Sequence, residues 1–422
     1  MTKEVAVAAR PLRVLYIMHN AAPGGAARSL LYLIESLPPG TVESYALCPN
    51  GPMVGHFEKA GVVVLHIPGV SMLLSIAGVP LRGRRLMELI RTIWLMRYGG
   101  IIRRVIRSVQ PDIVHLNERG MFHAAAIARR AGVPVVMHAR SVADNGTGWV
   151  RTLANRLINR YVNRVIAINE SVRSSLHGVE RCQVIYNPIS GNKAELAARG
   201  AEPQVRSDQP KKVRVSFLAG LLPSKGVWDL LESAKILRRR DDIVFQIAGG
   251  NSRPKEFHQT MRGRLVRLFG FAPDVERAAR VWIAREHLEH RAVLVGHLEQ
   301  ISDFLAETDI LVFPSHLNGP GRSVIEAGVR GIPAIVALAD KVEDIIEDGV
   351  TGLIVRERDP QALAQAIARL ADDGDLRAHL GANARRKYLL QFDSDLIASQ
   401  VLNVYHSVIA ESRGRDPKAT GH

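Results

Sequence analysis

Cysteine is nearly missing from this chain of 422 residues, with only Cys48 and Cys182. The two form no CxxC or paired spacing, which excludes a disulfide scaffold and a cysteine-based metal centre and fits a reducing compartment. Aromatic residues make up only 5% of the sequence, so no aromatic platform for nucleic-acid bases accompanies its charge, and a nucleic-acid partner is not expected. Long apolar runs are also lacking. The longest apolar stretch, Ile67–Leu81, is broken by Pro68, Gly69, Gly78 and Pro80 and is too short to cross a bilayer. The first ten residues hold Lys3, Glu4 and Arg10 around a short Val/Ala run, which does not read as a secretory leader. A cytosolic protein is the expectation. The histidines show no HExxH or similar spacing, so no metal site is expected.

Acidic residues are the minority, and unevenly so. Residues 1–200 carry 25 Lys and Arg against 11 Asp and Glu, whereas the remainder carries 31 against 30. The excess is densest between Arg82 and Arg107. There Arg82, Arg84, Arg85, Arg91, Arg97, Arg103, Arg104 and Arg107 face Glu88 alone. Interleaved Leu86, Leu89, Ile90, Ile93, Trp94, Leu95 and Met96 recur at helical spacing. That pattern suits a helix lying on an anionic membrane surface, through Arg84, Arg85, Arg103 and Arg104. It equally suits a core-packed helix with a solvated arginine face.

The rest of the composition is that of a globular protein, 47% hydrophobic and 23% charged, with no solenoid repeat. The length accommodates two domains. Short apolar runs predict strands at Leu12–Met18, Ser44–Cys48, Val62–Ile67, Ile113–Leu116, Pro134–His138 and Arg164–Ile168, with helical patterns between them. Residues 190–212 are polar and lack strand signals, as a linker does. The alternation restarts at Val213–Leu218 and continues through Val244–Ala248, Ala292–Val295, Ile310–Phe313, Ala334–Val336 and Gly352–Val355. Repeated βα alternation predicts an α/β fold of doubly wound parallel sheets.

One segment carries most of the chemistry. Ala306–Val355 reads as strand, glycine-rich turn, helix and strand. Amides at a helix start behind such a turn suit an anion such as a diphosphate. Glu326 falls one turn further along, where a carboxylate can accept from sugar hydroxyls. Together they suggest a nucleotide-sugar site.

The segment resembles the signature of the retaining, family 4 glycosyltransferases: an acidic residue, Gly three positions on and Glu eight positions on, then Ala and a Gly-x-Pro strand start. Here these are Asn318, Gly321, Glu326, Ala327 and Gly331-Ile332-Pro333. Further pieces fit in order: Pro23-Gly24-Gly25-Ala26, Pro111-Asp112-Ile113-Val114-His115, Val184-Ile185-Tyr186-Asn187-Pro188, Lys225-Gly226, Ala248-Gly249-Gly250 and Glu347-Asp348-Gly349-Val350-Thr351-Gly352. Two positions depart from the pattern. Asn318 stands where the family has its first acid, and Gly220 where it often has an arginine five residues before Lys-Gly.

The resemblance implies the GT-B architecture, two facing Rossmann-like domains with parallel sheets. These would be an acceptor-side domain over 1–195, a nucleotide-sugar-binding domain over 205–395, and a last helix in 396–422 packing back on the first. It implies a metal-independent, retaining transfer of a sugar from a nucleoside diphosphate sugar to a glycan or lipid-linked acceptor, with no cofactor. Such transfers build cell-surface polysaccharide, here at the inner face of a membrane. His138, Lys225 and Glu326 would form the reaction centre, with His138 and Arg140 competing for one position on their strand. Donor contacts would come from Gly24, Gly25, Arg140, Gly249, Gly250 and Asn318, and from the amides of Gly321, Arg322, Ser323 and Val324. A sugar-nucleotide epimerase of the same architecture and a non-catalytic binding partner, the latter motivated by Asn318 and Gly220, are the alternatives.

Overall fold

The computed structural model describes residues 10–72, 84–142, 148–189, 212–250, 260–261, 274–298, 300–316, 321–338 and 344–414, with the side chains of 84–89, 149 and 150 excepted. The expected linker over 190–212 falls outside these residues except for Lys212. The chain divides into two compact units, Met1–Gly191 with Phe392–His422, and Asn192–Gln391.

The first unit holds a seven-stranded parallel sheet in the order β3-β2-β1-β4-β5-β6-β7. Its strands are β1 (Leu12–Ile17), β2 (Val42–Cys48), β3 (Val63–His66), β4 (Ile113–Leu116), β5 (Val135–Ala139), β6 (Arg164–Ala167) and β7 (Cys182–Val184). The central strands are mostly apolar because helices cover both faces: Leu15, Val114, Val135 and Met137 are all fully buried. The pattern of apolar runs foretold six of these strands. β7 was not foretold, since it is three residues long and partly exposed at the sheet edge, too short to show alternation. Helix Ser394–Arg413 packs in this unit, where Tyr405 is buried and Ser394 Oγ donates to the Ile189 carbonyl at 3.0 Å.

The second unit repeats the design with six parallel strands in the order β10-β9-β8-β11-β12-β13. They are β8 (Val213–Leu218), β9 (Ile243–Ala248), β10 (Ala292–Gly296), β11 (Ile310–Phe313), β12 (Ala334–Ala337) and β13 (Gly352–Val355). The expected class, α/β with two Rossmann-like parallel sheets, is the one observed.

Both sheets reverse their winding at one place, between β1 and β4 in the first and between β8 and β11 in the second. Helices leave from opposite faces there, so a crevice opens beyond the carboxyl ends of the two strands.

Candidate active site

In the second unit the crevice lies between the loops that follow β8 and β11. Both loops carry residues singled out from the sequence. After β8 the chain runs through a 3-10 turn, Pro223–Lys225, into helix Val227–Ile236. Gly226 joins the two with φ of +75°, and a Cβ there would stand 1.7 Å from the Pro314 carbonyl oxygen. Only glycine fits a left-handed position pressed against backbone. The Lys-Gly pair is therefore two devices, a cation and the hinge that aims it.

The loop is stitched to the end of β11. His316 N donates to the Ser224 carbonyl at 2.9 Å, and Ser315 Oγ donates to it at 3.3 Å. His316 Nε2 also meets Asp229 Oδ2, in the next helix, at 2.7 Å. Neither His316 nor Asp229 was singled out in the sequence, since 87 residues separate them. From the other side, Leu221 N donates to the Gly250 carbonyl at 2.9 Å. Gly249, with φ of +155°, brings its Cα so close to Ala219 that a Cβ would lie 1.9 Å from the Ala219 oxygen. Gly249 and Gly250 thus brace the Lys225 loop through backbone.

The partly buried Lys225 ammonium stands 5.2 Å from the centroid of the Phe313 ring. Among the described residues no carboxylate pairs with it. Burial alone pulls its pKa below the usual lysine value, because desolvation penalises the charged form. Gly321 abuts the same ring, since a Cβ on it would come within 2.4 Å of Phe313 Cζ.

Helix Arg322–Gly328 follows directly. It is seven residues long, so its dipole is weak. The Val324 amide donates to the Gly321 carbonyl at 3.0 Å, and Val324 is fully buried. Ser323 is buried too, and its Oγ has no hydrogen-bond partner among the described residues. Glu326 sits one turn on and accepts from Arg322 Nε at 2.7 Å; the two side chains are 13% and 19% exposed. Arg330 Nη1 donates to the Glu326 main-chain oxygen at 2.7 Å and steadies the helix end. Asn318 lies outside the described residues. At Gly220 an added Cβ would find nothing nearer than the Gly250 oxygen at 4.0 Å, so no packing fills the place of the arginine the family often has.

The first unit's crevice is built differently. Helix Gly25–Ser36 starts after β1 with no side-chain cap, and neither Gly24 nor Gly25 has positive φ or a neighbour within 4 Å of an added Cβ. Neither conformation nor packing demands glycine there; what the pair leaves is open backbone. At the ends of β4 and β5 a polar cluster is buried. His138 is 1% exposed, and its ring centroid lies 5.3 Å from that of His115. Arg140 Nη2 donates to His138 Nδ1 at 3.2 Å, which leaves the neutral ring's proton on Nε2, an atom with no partner among the described residues. Arg140 also donates through Nε to Asn117 Oδ1 at 2.6 Å and through Nη1 to Asn187 Oδ1. His115 Nδ1 meets the Tyr405 hydroxyl at 2.7 Å.

All three guanidinium nitrogens of Arg140 are engaged within the unit. His138 lies beneath the surface, its ring tilted against that of His115. Burial and the adjacent guanidinium hold His138 well below the usual histidine pKa and bring His115 down to about 3. Glu118, unremarked in the sequence, accepts from the amides of Arg119 at 2.8 Å and Arg140 at 3.3 Å, while burial raises its pKa.

With this geometry in view, two family models match the chain. Residues 23–193 match Glycosyltransferase Family 4, and residues 199–387 match Glycosyl transferases group 1. The chain belongs to the family 4 type of glycosyltransferases. Among its relatives is a capsular polysaccharide biosynthesis glycosyltransferase, CapM, of Staphylococcus aureus. It is 32% identical over 260 residues, which cover 60% of this chain and 63% of that protein. A D-inositol 3-phosphate glycosyltransferase of Streptomyces scabiei is 26% identical over 94% of this chain and 90% of its own length. The chain is also similar to the solved structure of Anabaena Alr3699/HepE in complex with UDP and glucose. That likeness has a TM-score of 0.71 and 19% identity, and covers 94% of this chain and all of the other. At such identity the likeness speaks for the fold, which is the GT-B architecture. The protein is a glycosyltransferase enzyme.

Proposed function

We propose that this glycosyltransferase takes a sugar from a nucleoside diphosphate sugar and transfers it, with retention and without a required metal or cofactor, to a glycan or lipid-linked acceptor of a cell-surface polysaccharide. The observation that carries the reading is that Lys225, in the turn after β8, and Glu326, in the helix that follows β11, flank the β8/β11 crevice. A cation with no carboxylate partner among the described residues serves the diphosphate from one side, and a carboxylate serves the ribose hydroxyls from the other. Negative charge develops on the departing diphosphate, and a desolvated ammonium stabilises it more strongly than water does. The acceptor then attacks from the face the diphosphate leaves, its proton passing toward the phosphate. The relative named for capsular polysaccharide synthesis supports the class of product.

A thermal-shift screen against UDP, GDP, ADP and dTDP tests the donor. One diphosphate is expected to raise the melting temperature well above the others, and NMR of the product is expected to show the donor's anomeric configuration. No shift with any of the four, or an inverted product, overturns the reading.

We also propose that the enzyme works against the cytoplasmic face of an anionic membrane. No helix among the described residues is long and apolar enough to cross one. Helix Arg84–Leu95, a 3-10 turn and helix Gly99–Val109 form a continuous right-handed stretch. It turns Thr92, Ile102, Ile106 and Val109 inward, while Ile90, Ile93 and Trp94 are each more than half exposed. Beside them Arg91, Arg97, Arg103, Arg104 and Arg107 are exposed, and Arg97 stacks 3.4 Å from the Trp94 ring centroid. The side chains of Arg84 and Arg85 lie outside the described residues. Exposed apolar groups fringed by arginines fit a lipid headgroup layer, where each basic residue contributes about 1 kcal/mol. Cosedimentation with phosphatidylserine vesicles is expected at low salt and is expected to fade at high salt. Arg103→Glu with Arg104→Glu should release the protein while leaving the nucleotide thermal shift intact. Indifference of the wild type to such vesicles at low salt would refute the membrane proposal.

A further inference from the structure

Glu326 is not idle: its Oε1 accepts from Arg322 Nε at 2.7 Å, one helical turn away. Arg322 adjoins Gly321, which rests on the Phe313 ring, and the Lys225 ammonium faces that same ring. Two cations and one carboxylate therefore share the rim of the crevice, and the carboxylate is held by the cation nearer to it on the helix.

We propose that Arg322 and Glu326 form a latch that the donor's diphosphate opens. In the free enzyme the guanidinium holds the carboxylate. A diphosphate arriving at Lys225 offers several charged oxygens, and a guanidinium fork matches phosphate oxygens two at a time. Arg322 turns from Glu326 to the phosphates, so that Lys225 and Arg322 bind the anion from two loops. The released carboxylate then accepts from the ribose hydroxyls. This inference rests on the donor-site reading and deepens it. The phosphate half of the ligand prepares the site for the nucleoside half, so the enzyme responds to a complete nucleoside diphosphate rather than to either part.

The latch predicts effects of opposite sign from one substitution, which damage to the helix does not produce. Loss of the guanidinium weakens phosphate binding but frees Glu326 for the nucleoside. Calorimetric titrations of UDP, GDP, uridine, guanosine and inorganic pyrophosphate into wild-type protein and Arg322→Leu test this. Arg322→Leu is expected to weaken the cognate diphosphate and pyrophosphate by about ten-fold or more, the loss of one charge-assisted contact. It is expected to tighten the cognate nucleoside several-fold. Saturating pyrophosphate is expected to raise nucleoside affinity in the wild type and to leave it unchanged in Arg322→Leu, because coupling between sites is reciprocal and runs through this pair. Arg322→Lys should restore part of the pyrophosphate affinity. A wild type that binds UDP or GDP while Arg322→Leu binds the nucleoside no better than wild type, or coupling that survives in Arg322→Leu, overturns the latch alone. A wild type that binds none of UDP, GDP, ADP, dTDP and pyrophosphate overturns the donor-site reading and the latch with it.

Discussion

Lys225→Ala is expected to weaken nucleoside diphosphate binding by about 1.5–3 kcal/mol, the worth of a charge-assisted contact to phosphate, without lowering the melting temperature. The fold does not depend on this ammonium, which has no carboxylate partner among the described residues and is desolvated at a cost. Calorimetry beside a melting curve separates the two effects. A pH profile adds a second signature. Burial depresses the Lys225 pKa, so in the free enzyme the proton is lost earlier on the alkaline side than from an ordinary lysine. A bound phosphate restores it. Wild-type affinity should therefore fall as pH rises through that depressed pKa, while Lys225→Ala should show no such fall. Equal affinity in the two proteins, or a profile that survives the substitution, would remove Lys225 from the donor site. Gly226 bounds the comparison from the structural side, because any Cβ there drives into the Pro314 carbonyl.

The second large effect is expected in acid. His115 and His138 are buried side by side, and both are held neutral by desolvation and by the Arg140 guanidinium. Their folded pKa values lie below the unfolded value near 6.5. The unfolded chain therefore takes up protons first as pH drops, and stability that is fully present above pH 6.5 is lost below it. With His115 titrating at about 3 in the fold, lowering the pH to 4.5 costs the first unit roughly 2–3 kcal/mol from this residue alone. Denaturant unfolding at pH 7 and at pH 4.5 measures the loss. His138→Phe, which keeps a ring in the cluster but cannot titrate, is expected to flatten the slope relative to wild type. A wild type equally stable at both pH values would mean that the cluster opens to water and accepts protons while folded.

Each of these effects combines something legible in the sequence with something that was not. Fully buried parallel strands read as near-continuous apolar runs, so Ile310–Phe313 and Ala334–Ala337 announced themselves by Ile, Leu, Val, Ala and Phe alone. β7, short and at an edge, had no such pattern. Lys225 and Glu326 were readable because their local setting, a turn lysine before glycine and a glutamate inside a helix after a glycine turn, lies within a few residues of each. The sequence alone determined two doubly wound sheets and the concentration of arginine in one region. It could not say which face of residues 90–107 meets solvent, because the arginines left both faces open until Ile102, Ile106 and Val109 found the core. Nor could it show that the Gly226 hinge answers to the Pro314 carbonyl, that His316 reaches Asp229, or that His115 meets a tyrosine 290 residues away. Local pattern follows from short-range preference and from burial, which act residue by residue. These partnerships join strand ends at the winding reversal to loops and helices distant in sequence, and only the folded chain brings them together.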